Sequence, residues 1–284
     1  MVPVRTIFIL IAGLCLSSVW PGAPEQADQT RLSAILKKSE EYCRRLEKAA
    51  LDFVCQEEVK EASRYYASQT DVYRYDYQFN RMVQSEDHAP KADVYLYDYQ
   101  FIRKGVETKE KRDLISVNGK KKNIQDSSLH TDMIFYKNVL LGPVGLLSRF
   151  WQDYFDYKLI GEDTVNKEKA VVIEATPGPK LTEAHPYGRV WVKEQDGSVL
   201  KIVWDQRSLG NYKSIEEWAK TQDAKPLITA FSEYGFEKNG VRFPSRNFVE
   251  NAIVQKGGQK YVFTEISVRY KDYKFFTVET EIKY

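Results

Sequence analysis

The three histidines, His88, His130 and His185, are too far apart in the chain for the short spacings that hold a metal ion. No Gly-x-Ser-x-Gly nucleophile elbow and no His-Glu-x-x-His zinc motif occurs. Gly142-Pro143-Val144-Gly145 lacks the spacing of a phosphate-cradling loop. Asp76 and Asp98 occupy equivalent positions in a near-repeat, and two carboxylates can work as acid and base. Aspartates on a solvated strand face are the commoner finding. The residue types therefore point away from an enzyme, with no metal and no cofactor expected.

Two chemistries remain, thiol and aromatic. Apart from Cys15, the cysteines are Cys43 and Cys55. An even pair in an exported chain points to a disulfide, which would stabilise by roughly 2–3 kcal/mol; two buried free thiols are the alternative. Leu147, Phe150, Trp151 and Tyr154 follow Gly142-Pro143 at near-helical spacing and could line a hydrophobic cavity, or be plain core. Trp191 and Trp204 flank Asp196-Gly197 and could stack a sugar or an acyl chain, cross-strand packing being the simpler account.

The compartment is read from the first residues. Arg5 precedes a nearly unbroken apolar run from Ile7 to Val19, the pattern of a secretory leader assigned here to 1–27. The run is short for a membrane span, which takes roughly 20 residues, although an uncleaved anchor is the alternative. About 255 residues follow, enough for one large domain with its own core, assigned to 28–284. Lys plus Arg (42) and Asp plus Glu (40) nearly balance and are interspersed, so no basic stripe invites nucleic acid. A periplasmic or secreted monomer is expected, with membrane association left open.

Positioning falls to a helix followed by strands. Leu32, Ile35, Leu36, Ser39, Cys43, Leu46 and Ala50 form one stripe at helical spacing. From Phe53 the period becomes two, with Phe53, Cys55 and Val59 on one face. Asp71-Val72-Tyr73-Arg74-Tyr75-Asp76-Tyr77-Gln78-Phe79 recurs at 93–101 with one change, predicting two strands with aromatic faces. The second is expected to run on to Val117 and turn at Asn118-Gly119. A central helix is expected to start at Pro143, and a short one over Ser214–Lys220. Between and after them strands are predicted at 157–160, 170–175, 188–193, 199–204 and 227–231. Further strands are expected at 241–254, where Pro244 argues for an edge or a bulge, at 261–270, and from Phe276 after a turn at Lys271-Asp272.

About ten antiparallel strands with two or three helices make an α+β fold. A sheet this wide must curl to bury a face, and an open half-barrel wrapped around the helices satisfies that requirement. Its interior is either a cavity or a filled core. The order of elements, with Leu51-Asp52-Phe53-Val54-Cys55-Gln56-Glu57-Glu58, Tyr157-Lys158-Leu159-Ile160-Gly161-Glu162 and Tyr234 through Pro244, resembles the bacterial outer-membrane lipoprotein-sorting (LolA/LolB-like) proteins. That resemblance implies an open antiparallel barrel plugged by helices that carries lipids or acylated proteins through the periplasm, with envelope proteins as partners. The repeat and the cysteine pair mark a divergent branch, and no residue role carries over. A carbohydrate- or peptide-binding module using exposed Tyr and Trp, or an interaction protein without a small ligand, are the other readings.

Overall fold

A computed structural model describes residues 23–49, 51–63, 91–104, 107–131, 134 and 136–276. The leader's apolar run and the first copy of the aromatic repeat lie outside them. Helix α1 (Ala23–Lys48) begins within the stretch assigned to the leader. Its apolar stripe is as the spacing requires: Leu32, Ile35, Tyr42, Cys43 and Leu46 are buried.

Strands β1 (Leu51–Ser63), β2 (Lys91–Lys104), β3 (Glu107–Val117) and β4 (Lys120–Ile124) follow, then helices α2 (Tyr136–Leu147) and α3 (Arg149–Gln152). Next come β5 (Phe155–Val165), β6 (Glu168–Pro177), β7 (Gly188–Val192) and β8 (Val199–Trp204), and helix α4 (Tyr212–Thr221). The chain continues through β9 (Ala224–Glu233), β10 (Phe236–Lys238), β11 (Val241–Phe243), β12 (Arg246–Gln255) and β13 (Lys260–Phe275). Eleven strands make one antiparallel sheet, ordered β4-β3-β2-β1-β13-β12-β9-β8-β7-β6-β5, while β10 and β11 pair separately. Strands β4 and β5 end the order without pairing to each other, so the sheet is open. One face packs α1 and α2 into a single core running from Leu114 on β3 to Phe155 on β5. Helix α4 covers Ile228, which shares that face with Ala230. The α+β half-barrel is present, with eleven strands where about ten were expected.

Local expectations differ in four places. The second repeat copy is β2, with Tyr95, Tyr97, Tyr99 and Phe101 turned inward as predicted. The chain does not run straight on to Val117, however: β2 and β3 pair with each other, and the Asn118-Gly119 turn (φ 52° and 74°) leads into β4. Lys271-Asp272 is a bulge inside a single strand; Asp272 takes φ 56° where the register to β1 shifts between Val54 and Gln56. At Pro244 the chain leaves the β10–β11 hairpin for the large sheet, so 241–254 is two strands.

The fourth difference is the central helix, which starts at Tyr136 and holds Pro143 in its interior. A proline there cannot donate to the carbonyl four residues back, Val139. The buried Tyr234 hydroxyl donates to that oxygen instead, at 2.7 Å. Gly142 makes room for it, since a Cβ at 142 would stand 2.9 Å from the Tyr234 oxygen. Helix α1 is seated by a second glycine. In the β7–β8 turn Gly197, at φ 73°, lies so close to α1 that a Cβ would meet the Lys38 carbonyl carbon at 2.3 Å. Lys38 Nζ donates to the Glu194 carbonyl, and Arg31 pairs with Glu194 and Glu162.

Candidate functional site

The six aromatic and aliphatic candidates do not converge. Leu147 is fully buried at the end of α2, as core. Phe150, Trp151 and Tyr154 do meet, with ring centroids 5.1–5.6 Å apart. Trp151 lies on the His185 ring at 3.8 Å, and His185 Nε2 donates to the Gly145 carbonyl. Trp204 lies on the inner face, against the main core and near Ser232. Trp191 lies on the outer face with Val165, Ala170 and Leu200; its indole donates to Asp163, and Lys201 Nζ stands 5.6 Å from the ring. The two tryptophans occupy opposite faces of the sheet, because an odd residue of β7 and an even residue of β8 differ in side across this register. No joint stacking site exists.

The Cys43–Cys55 disulfide is not formed either. Cys43 Sγ turns toward α2 and donates to the Pro143 carbonyl at 3.4 Å. Cys55 lies on the inner face of β1, cross-strand from Tyr99. Burial pushes both thiols well above their ordinary range. A stripe on α1 and a face of β1 both turn to the core, but toward different neighbours there.

Rings fill the space between α2 and strands β1, β2 and β13: Phe53 lies 5.4 Å from Phe101 and from Phe243, and 5.7 Å from Tyr136. Further along β1, Glu57 is buried on the same face and pairs with Arg112 at 2.6 Å, whose guanidinium lies over Tyr99. Burial raises the Glu57 carboxyl, and Arg112 opposes that rise.

Among the described residues an opening lies at the end of the barrel where α1 stops. A groove of about 700 Å³ lies between the last turn of α1, the start of β1, the ends of β2 and β13, and the β10–β11 hairpin. That volume falls within the roughly 300–1,000 Å³ typical of ligand pockets. Its floor is apolar and largely aromatic: Leu51, Val241, Phe243, Phe275 and Phe276. Phe276 is 52% exposed, a ring held open to the groove. Arg44, Arg45, Lys48, Arg103, Lys104 and Lys238 surround that floor, with Asp52 as the single carboxylate.

Each wall has a local cause. Arg103 donates to the carbonyls of Leu46 and Glu47, satisfying orphan acceptors at the C-terminus of α1. The hairpin wall turns at Asn239-Gly240 (φ 53° and 71°) and is clamped by Arg242, whose side chain is 3% exposed. Arg242 meets both oxygens of Glu168 at 2.7 and 2.9 Å and donates to Ser198, while its backbone N–H donates to the Tyr42 hydroxyl on α1. Arg242, with Lys193, holds the Glu168 carboxyl below its ordinary value. None of the six sequence candidates lines this groove. The sequence signal for it was thin: Arg44, Arg45 and Lys48 fall on the polar side of the α1 stripe, and Phe276 marked only the start of a strand.

No protein-family model matches the chain, and no curated protein matches it. Among solved structures it is similar to a domain assigned as an outer membrane lipoprotein-sorting protein from Vibrio parahaemolyticus. That match has 10% identity and a TM-score of 0.42, over 87% of this chain and 94% of the other. It is also similar to a LolA superfamily protein from Nitrosomonas europaea, with 14% identity and a TM-score of 0.33, over 87% and 96%. A DUF1329 family protein from Desulfovibrio piger matches with 11% identity and a TM-score of 0.34, over 87% and 95%. In fold, the chain is an open antiparallel sheet of eleven strands with helices packed against one face.

Proposed function

We propose that the protein is a non-enzymatic binder or carrier of acyl-chain ligands in the cell envelope, working in the periplasm. The observation that carries this reading is the groove at the end of α1, where the half-buried Phe275 and the exposed Phe276 offer aromatic surface beside the buried Phe243. Burying a chain there would contribute roughly 0.8 kcal/mol per methylene. Rings fill the space between α2 and strands β1, β2 and β13, so the ligand would lie at the mouth of the barrel. Such a position favours capture and release, because the chain need not unthread from a closed core. The leader read from the sequence supports the compartment, and lipids or acylated proteins would be the partners.

Native mass spectrometry of gently purified protein tests the reading. A co-purifying acyl-bearing molecule is expected, lost in Phe276→Asp while the thermal midpoint stays within about 2 °C, as suits an exposed site. Retention of the molecule by Phe276→Asp, or the absence of any acyl ligand after incubation with monoacylglycerol, would overturn it.

A further inference from the structure

The chain as a whole is almost neutral, with 42 basic and 40 acidic residues, so a local excess of one sign is informative. Several cations elsewhere are paired, among them Arg31 with Glu194, Arg112 with Glu57, Lys193 and Arg242 with Glu168, and Lys260 with Glu250. The groove's lining instead sets six cations against one carboxylate, Asp52. Arg44, Arg45, Lys48, Lys104 and Lys238 make no salt bridge among the described residues, although they come from three separate elements. Compensation of the helix dipole explains basic residues in the last turn of α1, namely Arg45 and Lys48. It does not explain Lys104 at the end of β2 or Lys238 at the β10–β11 turn, which the fold brings to the same rim. Like charges gathered around one concavity repel each other, and that cost is recovered when an anion enters.

We infer that the groove is built for an anionic lipid: a chain on the phenylalanine floor and a phosphate headgroup among the rim cations. The inference rests on the acyl-chain reading above and adds the headgroup class to it. Several cations suit a phosphate, which offers more acceptor oxygens than a carboxylate and can be met by guanidinium forks and ammonium groups together. Charge and apolar floor act on different parts of one molecule, so each can be removed separately.

Binding of three ligands with the same acyl chain to the full-length protein separates the contributions: lysophosphatidic acid, lysophosphatidylcholine and monoacylglycerol, with inorganic phosphate as competitor. Lysophosphatidic acid is expected to bind on the order of tenfold more tightly than monoacylglycerol, an advantage that shrinks as salt is raised. Lys48→Gln combined with Lys238→Gln should remove most of that advantage and leave monoacylglycerol unchanged; both side chains are exposed, so folding is spared. Equal affinity for all three lipids, unaffected by the double substitution, overturns the headgroup inference and leaves the acyl-chain reading standing. Binding of phosphate alone as tightly as the lipid assigns the site to a free anion and overturns it too. If no lipid binds and Phe276→Asp changes nothing, both fall.

Discussion

At the scale of single residues, hydrogen-bond bookkeeping explains features that look irregular in isolation. Pro143 interrupts α2, yet the helix continues because Tyr234 supplies the donor that proline lacks and Gly142 leaves space for it. Tyr234→Phe should therefore cost about 1–3 kcal/mol, the penalty for stranding a buried carbonyl, seen as a lower urea midpoint with an unchanged slope. A midpoint equal to the parent's would mean that water or relaxation replaces the hydroxyl. Cys43 and Cys55 make a second case. Both should react with iodoacetamide in denaturant without prior reduction, and resist it in the folded protein, because burial disfavours both thiolates. Failure to label until a reductant is added would show that they are bonded after all. The sequence placed both cysteines on core-facing sides but favoured a disulfide between them, because the neighbours each one faces were not legible.

At the scale of elements, the groove depends on how the β10–β11 hairpin is held, and that hold is electrostatic. Glu168 has its carboxyl below the ordinary 4.5 because Arg242 and Lys193 bond to the charged form. A carboxyl depressed in the folded state contributes stability above its unfolded value and loses it as pH falls through the lowered one. Glu168→Gln should be less stable than the parent at pH 7, and the difference should fade as the pH drops below the ordinary 4.5, followed by thermal midpoints. A constant difference across that range would remove Glu168 from the clamp. Strand β1 and α1 were legible from their periods, and Asn118-Gly119, Asp196-Gly197 and Asn239-Gly240 from turn chemistry. The start of α2 was not, since Pro143 is a helix-starting residue by local preference and only a tyrosine some ninety positions away makes it tolerable inside.

At the scale of the whole molecule, the sheet stays open, and its two ends serve different purposes. Helix α4 closes one, where Ile215 and Ala219 pack on Ile228 and Ile253; the groove occupies the other. One free edge, β4, carries Lys120, Lys121 and Lys122, all exposed, which discourages strand addition by a second chain. If the groove binds lysophosphatidic acid, mass action should raise the thermal midpoint, by the equivalent of about 2.7 kcal/mol at a hundredfold excess over Kd. Differential scanning calorimetry at low and high salt reads it; a midpoint that does not move, or that moves equally at both, would not fit a charged rim.

The chain by itself determined what is periodic or local: the amphipathic stripe of α1, the aromatic face of β2, the hairpin turns, and the class of fold that such elements must adopt to bury one face. Interactions between residues distant in sequence decided the rest. Whether rings or empty space would fill the barrel depended on how Phe53, Tyr136 and Phe243 meet across three elements. Trp191 and Trp204 were sent to opposite faces by register. A rim of cations drawn from α1, β2 and a hairpin has no sequence motif, because its members become neighbours only when the strand ends are brought together.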